Sequence, residues 1–251
     1  MKILKEDQKL EKKTSDGREV VNVEGATRNL FTYSAPHSFV AEQFRIMRFG
    51  LLRQIKRKGM RSILVTSTMP QEGKTFVASN LAVSIAPEIE KETVLVDFDL
   101  RKPSIHEVFG LGRQAKGLSS FFEEGLPLTD VMLKTNIPNL SIIPSGPVSD
   151  RDSVYITTRK MTALRDAINS INQEYFFIID AGPACIIADP LVISDVADGI
   201  ILVVKAGHTK KSVVENSVKL IGKEKIAGVV LNYSESNPDV YRDYHRYYSK
   251  Y

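Results

Sequence analysis

Apolar residues first recur at helical spacing between Phe39 and Ile55. Phe39, Val40, Phe44, Met47, Leu51, Leu52 and Ile55 mark one face of a helix predicted from Ser38 to about Lys58. Ser38 is its expected N-cap. From Ser62 onward the period shortens. The runs Ile63–Thr66, Thr93–Asp97, Leu140–Ile143, Phe176–Asp180, Ile200–Val204 and Ile226–Leu231 read as strands. Helical segments near Thr75–Ile85, Tyr155–Ile171, Leu191–Val196 and Lys210–Ile221 lie between them. Nearly continuous apolar strands separated by helices predict an α/β fold, a mostly parallel sheet with helices on both faces. Residues 1 to 35 are polar, mixed in charge and weakly periodic, and read as a mobile N-terminal arm. Residues 36–232 then form the folded domain, and 233–251 a tail.

Composition narrows the class. With 251 residues, 43% hydrophobic and 25% charged, the chain has the make-up of one ordinary globular α/β domain. No run approaches the roughly 18 apolar residues of a membrane span, and MKILKEDQKLEKK is not a secretory signal. The single cysteine, Cys185, excludes an internal disulfide and a Cys-x-x-Cys metal site, which fits a reducing cytoplasm. Net charge is only +4, yet Arg45, Arg48, Arg53, Lys56, Arg57, Lys58 and Arg61 follow one another with no acidic residue among them. Such a run is a solvated helix face or a contact for an anionic partner. No nucleic-acid ligand is expected.

Ser62 to Thr75 reads SILVTSTMPQEGKT: a strand, a turn, then Gly73-Lys74-Thr75 opening a helix. That is the layout of a P-loop, whose backbone N–H groups point at phosphate oxygens. Met69, Pro70, Gln71, Glu72, Gly73, Lys74, Thr75 and Phe76 are the predicted nucleotide-contacting residues. Lys74 would reach the β- and γ-phosphates and the Thr75 hydroxyl would ligate Mg²⁺. The general pattern has glycine where this chain has Thr68. Two further strand ends carry carboxylates: Asp97 and Asp99 in TVLVDFDLRKP, with Arg101 after them, and Asp180 in FFIIDAGP. A P-loop enzyme needs such an Asp to hold Mg²⁺ and a group to orient or deprotonate the nucleophile. Asp180 suits the first role and Asp97 or Asp99 either, while Arg101 could stabilise charge. All these motifs fall at carboxyl ends of strands, where ligands of parallel sheets bind.

Tyr241, Tyr244, Tyr247, Tyr248 and Tyr251 are five of the nine tyrosines and lie within the last eleven residues. Nothing aliphatic follows Val240 to bury them. Beside a phosphoryl-transfer site, a tyrosine cluster on an accessible tail reads as its own substrate, presented to a neighbouring subunit.

These motifs together resemble the bacterial tyrosine autokinases of polysaccharide synthesis and export. Asp97-Phe98-Asp99-Leu100-Arg101 matches the D-x-D-x-R motif of that family, and Asp180-Ala181-Gly182-Pro183 its III-D-x-x-P motif. Glu42, Arg45 and Arg48 match its E-x-x-R-x-x-R helix, which is similar to a subunit-ring contact. Gly228-Val229-Val230-Leu231-Asn232 also matches, which adds Asn232 to the nucleotide-binding set, as do Asp189-Pro190 and Asp198-Gly199. The resemblance implies ATP and Mg²⁺ as cofactors and a homo-oligomeric ring. It also implies a separate membrane-spanning activator that holds a cytoplasmic protein at the inner membrane, and a phosphotyrosine phosphatase as a possible partner. Ala181-Gly182 stands where Thr-Pro is usual, and Ser149 to Val154 replaces a Pro/Asn-rich turn. Two other readings are a non-kinase P-loop ATPase related to partition proteins and a nucleotide-bound scaffold. Partition and division-site ATPases carry a second lysine where this chain has Met69.

Overall fold

The computed structural model describes residues 10–13, 19–23, 29–112, 115–147, 157–171, 174–185 and 196–235. Its strands are β1 (Leu10–Lys13), β2 (Glu19–Val21), β3 (Ser62–Ser67), β4 (Glu92–Asp97), β5 (Leu133–Thr135), β6 (Leu140–Ile143), β7 (Tyr175–Asp180), β8 (Gly199–Lys205) and β9 (Ile226–Asn232). Its α-helices are α1 (Phe31–Ser34), α2 (Phe39–Lys58), α3 (Lys74–Ile85), α4 (Ile105–Phe109), α5 (Leu118–Glu123), α6 (Thr158–Ser170) and α7 (Lys211–Ile221). The strands form one sheet in the order β1-β2-β5-β6-β4-β7-β3-β8-β9. From β6 to β9 every neighbouring pair is parallel, while β1–β2 and β5–β6 are antiparallel.

Alternation along the strands splits the core into two layers. Ile63 and Val65 of β3, Leu95 of β4 and Ile178 of β7 face α2, α3 and α4. Leu64, Val94, Val96, Phe177 and Ile179 face the other way, toward α5, α6 and α7. Every residue of β3 is buried, which explains its unbroken apolar reading. Burying one such Phe or Leu side chain is worth about 1.5–3 kcal/mol.

The predicted helix over Ser38–Lys58 is α2. The Ser38 hydroxyl accepts from the Ala41 N–H at 3.2 Å, and Gly59 closes the helix in the left-handed region at φ 64°. Lys56, Arg57 and Lys58 occupy its last turn, where cations offset the helix dipole. Two arginines of the basic run turn inward. Arg48 donates to the Ser84 carbonyl at 2.9 Å, near the C-terminal end of α3. Arg61 donates to the Ile168 and Ile171 carbonyls at 3.1 and 2.9 Å, at the end of α6. The exposed charge of the run is therefore smaller than its sequence suggests.

The residues read as an arm over 1–35 are partly built into the body. β2 pairs with β5, Val21, Val23 and Leu30 are buried in the core, and Thr32 donates through its N–H to Asn80 Oδ1 at 3.0 Å. Their short apolar stretches have no period of their own, because they complete layers laid down elsewhere. The helix expected over Leu191–Val196 falls outside the described residues except for Val196, and the expected start of α6 at Tyr155 does too. Among the described residues no helix is long and apolar enough to cross a membrane.

Candidate active site

Strand β3 ends at Ser67 and α3 begins at Lys74, so Thr68 to Gly73 form the connecting loop. Gly73 adopts φ 85°, a conformation that favours a residue without Cβ. A Cβ there would also stand 2.2 Å from Nδ2 of Asn232. Gly73→Ala is expected to weaken nucleotide binding about tenfold or more, since a left-handed alanine alone costs about 1–2 kcal/mol. Titration of a fluorescent nucleotide into the full chain measures this. Affinity within twofold of the parent would show that the loop can re-form around the methyl group.

The loop is braced from below. Glu72 is almost fully buried, and its Oε2 accepts from the Thr68 hydroxyl at 2.6 Å and the Met69 N–H at 2.8 Å. Its Oε1 accepts from the Lys205 N–H at 3.2 Å and from the Thr209 hydroxyl. Nδ2 of Asn232 donates to the Glu72 carbonyl at 2.8 Å. Thr68, the departure from the glycine pattern, thus orients Glu72 through its hydroxyl. The side chains of Glu72 and Asn232, both expected among the nucleotide-contacting residues, tie the loop to the ends of β8 and β9. The Phe76 ring likewise packs edge-on against Phe31 and Phe44, at 6.1 and 5.7 Å between centroids. Met69, Pro70 and Gln71 form the exposed tip.

Lys74 and three carboxylates converge behind the loop. Asp97 and Asp180 are register partners at the ends of β4 and β7. Thr75 donates its hydroxyl to Oδ2 of Asp180 at 2.6 Å and lies 2.9 Å from the Ser104 hydroxyl. Oδ2 of Asp97 accepts from the Ser104 and Ile105 N–H groups at 3.1 and 2.9 Å, at the entry to α4. Asp99 pairs with Nζ of Lys74 at 2.8 Å and accepts from the Lys102 N–H at 3.1 Å. Arg101, expected in the catalytic set, is exposed.

Burial dominates the electrostatics. It pushes the Asp97 carboxyl up to about 8, helped by the charge of Asp180, while the two backbone N–H bonds pull the other way. It pushes Asp180 up to about 6, against the pull of Lys74 and the Thr75 hydroxyl. Burial alone would lower the Lys74 ammonium, but Asp180, Asp99 and Asp97 outweigh it and hold Lys74 above its ordinary value. The lysine is a fixed positive charge.

One buried oxygen on each strand-end carboxylate, Oδ1 of Asp97 and Oδ1 of Asp180, has no hydrogen-bond partner. An acceptor-only oxygen without a donor suits a cation. Among the described residues no three of His, Cys, Asp and Glu converge as an all-protein metal cage. Mg²⁺ does not need one, because it binds through one or two carboxylates, with phosphate and water supplying the rest. Thr75, Asp97 and Asp180 therefore fit that ion in the company of a nucleotide. A cleft of about 240 Å³ opens beside Thr75, lined also by Asn29, Phe76, Ser104, Glu107 and Val108.

The other predicted positions lie apart from this cluster. Glu42 pairs with Arg45, whose guanidinium also reaches the Pro36 carbonyl, and both remain half-exposed on α2. Arg48 is held within the chain by Ser84 and by Glu88 at 3.2 Å. Tyr241, Tyr244, Tyr247, Tyr248 and Tyr251 lie outside the described residues. Two contributors were missed in the sequence. Ser104 follows the DLRKP segment as an unremarked serine, and the bracing role of Glu72 depends on Lys205 and Thr209, far along the chain.

No protein-family model matches the sequence. The tyrosine-protein kinase YwqD of Bacillus subtilis is 30% identical over 207 residues, spanning 82% of this chain and 86% of that protein. The succinoglycan biosynthesis transport protein ExoP of Rhizobium meliloti is 27% identical over 207 residues, 81% of this chain and 26% of that longer protein. Among solved structures, the chimerical protein CapA2B2 aligns with a TM-score of 0.73 at 30% identity, covering 86% of this chain and 94% of that one. A braced phosphate loop facing paired strand-end carboxylates, on a chain that aligns with YwqD over more than four-fifths of both proteins, leads to one conclusion: the chain belongs to the bacterial tyrosine-protein kinase family.

Proposed function

We propose that the chain is an ATP-dependent protein-tyrosine kinase that phosphorylates tyrosines of its own C-terminal cluster and thereby regulates polysaccharide synthesis or export. The observation that carries this reading is the convergence of Lys74, Thr75, Asp97 and Asp180 at the mouth of the phosphate loop. The link to polysaccharide rests on the relationship to ExoP.

Loop N–H groups and Lys74 hold the phosphates, and Asp99 positions the lysine through their ion pair. Thr75, Asp97 and Asp180 are the residues that would hold Mg²⁺, which when bound screens phosphate charge and polarises the transferring phosphoryl group. The acceptor tyrosine enters by the cleft beside Thr75. Its hydroxyl has an ordinary pKa near 10 and must lose its proton during transfer. Asp97, at the end of β4 beside Asp180, is either the group that accepts that proton or a ligand of the ion, since a carboxylate bound to Mg²⁺ is no longer basic enough to do both.

The acceptor tail comes from a neighbouring subunit in a homo-oligomer. Glu42 and Arg45 contribute to the contact together with Ile46 and Phe49, which are 61% and 67% exposed on the same helix. Arg48 supports that helix from behind rather than meeting the neighbour. A membrane-spanning activator and a phosphotyrosine phosphatase complete the proposed partners, with the protein at the inner face of the membrane. The tail from Tyr233 is formally neutral, with Arg242, Arg246 and Lys250 against Glu235, Asp239 and Asp243. Each phosphate adds about −1.5 to −2 charges, so modification would release the tail from a neighbour.

Incubation with Mg·ATP, with and without cytoplasmic segments of membrane partners, followed by mass-spectrometric mapping of phosphotyrosine, tests the reading. Phosphate on residues 241–251 that disappears in Lys74→Met is expected. Nucleotide binding without any phosphotyrosine would leave a non-kinase ATPase or a scaffold.

A further inference from the structure

The phosphate end of a bound nucleotide is fixed by the site already described. Asp97 and Asp180 stand at the ends of β4 and β7, on one side of the loop strand β3. The nucleoside must therefore leave the loop on the other side, over the ends of β8 and β9. Tyr233 stands there, the first residue after β9.

Three observations single out this tyrosine. Its ring abuts the phosphate loop: Cε2 lies 3.4 Å from the position that a Cβ on Gly73 would take. Its backbone is held at φ 58°, an unusual conformation for a bulky side chain and one that surrounding structure must maintain. The structure supplies that hold, because the amide of the preceding Asn232 is bonded to the Glu72 carbonyl and its own carbonyl accepts from the Ala206 N–H at 2.8 Å. Finally, the ring is not buried by its position. Tyr233 is 60% exposed, with Nζ of Lys205 at 5.0 Å from the ring centroid. An aromatic ring pinned beside a phosphate loop yet left open to solvent is a platform for another flat ring.

We propose that Tyr233 is the stacking platform for the purine base of the nucleotide, with Lys205 steadying the ring by its cation–π contact. The inference rests on the proposal that this loop binds a nucleotide. It adds a residue that touches the base, whereas Lys74, Thr75 and the carboxylates address only the phosphates. Stacking on a ring is indifferent to base edges, so Tyr233 selects for the presence of a purine and leaves the choice between adenine and guanine to other contacts.

The test uses two probes on the full chain: ADP, and inorganic tripolyphosphate, which occupies the loop but carries no base. Tyr233→Ala is expected to weaken ADP binding by about tenfold, in the range of aromatic–base stacking. Tripolyphosphate binding should be unchanged, and Tyr233→Phe should retain the parent affinity for both. The sequence contains no tryptophan, so Tyr233→Trp installs a single reporter at the platform. Its fluorescence should be quenched by ADP and indifferent to tripolyphosphate. ADP affinity within twofold of the parent in Tyr233→Ala would overturn the platform while leaving nucleotide binding intact. Equal weakening of both probes would overturn it as well, since Tyr233 would then act only on the shape of the loop. A parent chain that binds neither probe would remove the nucleotide reading itself.

Discussion

Asp97→Asn should make the nucleotide-free protein more stable while removing most of its phosphoryl transfer. Asparagine keeps an oxygen to accept from the Ser104 and Ile105 N–H groups, which hold Oδ2 now. Its NH₂ replaces Oδ1, which is buried without a partner on the strand next to Asp180. An amide cannot ionise, so the variant escapes the cost of a buried charge beside Asp180, and each kcal/mol gained is roughly 2–4 °C of melting temperature in a protein of this size. The effect depends on pH in a definite direction. Asp97 titrates near 8 in the folded chain against an ordinary 3.8, so between those values the native state keeps a proton that the unfolded chain has released. Stability of the parent therefore falls as pH rises through that window. The advantage of the asparagine variant should widen toward pH 8 and close near pH 4. Its transfer rate should fall by about a hundredfold or more, because the variant lacks the carboxylate that either accepts the proton or holds the metal. Thermal melts at several pH values and a phosphotyrosine time course measure the two halves. A variant less stable than the parent at pH 8 would mean that Asp97 is ionised and satisfied in the folded chain.

Lys74→Met is expected to fail in both respects. A single cation on the transferring phosphoryl group is worth about 10³ to 10⁵ in rate. The same substitution leaves Asp99 buried without its 2.8 Å partner. Breaking a buried pair from one side costs about 3–5 kcal/mol. Adding Asp99→Asn should return most of that stability, since neither charge is then stranded, while transfer stays absent. Melts of the parent, both single variants and the double variant make this a thermodynamic cycle. A coupling near zero would show that Asp180, rather than Asp99, carries the lysine. The comparison also protects the functional assay. Loss of phosphotyrosine in a destabilised Lys74→Met protein proves little, whereas its loss in a stable double variant isolates the missing charge.

How far the molecule can be read from its sequence follows from the range of the forces involved. The six long parallel strands and α2, α3 and α7 were legible within a residue or two, because period and capping are local. Elements α4, α5 and β5 were not, since five-, six- and three-residue pieces are too short to show a period. Strand β9 matches its expected span but not its expected burial. Its apolar run implied cover on both faces, yet Val229 and Leu231 are 54% and 60% exposed at the edge of the sheet. At the site, Lys74, Thr75, Asp97 and Asp180 were legible because each sits in a motif at a strand end. The partnership of Glu72 with Thr209, and the placement of Tyr233 against Gly73, join residues more than a hundred positions apart and leave no local trace.

The bracing of the phosphate loop has a kinetic counterpart. Because the bonds by which Glu72 and Asn232 clamp it to β8 and β9 are all internal to the chain, the protein itself holds the cradle in shape. Hydrogen exchange gives this a signature. The Met69 amide, at the solvent-facing tip of a turn, should exchange at the slow pace of the strands around it, and adding nucleotide should slow it little further.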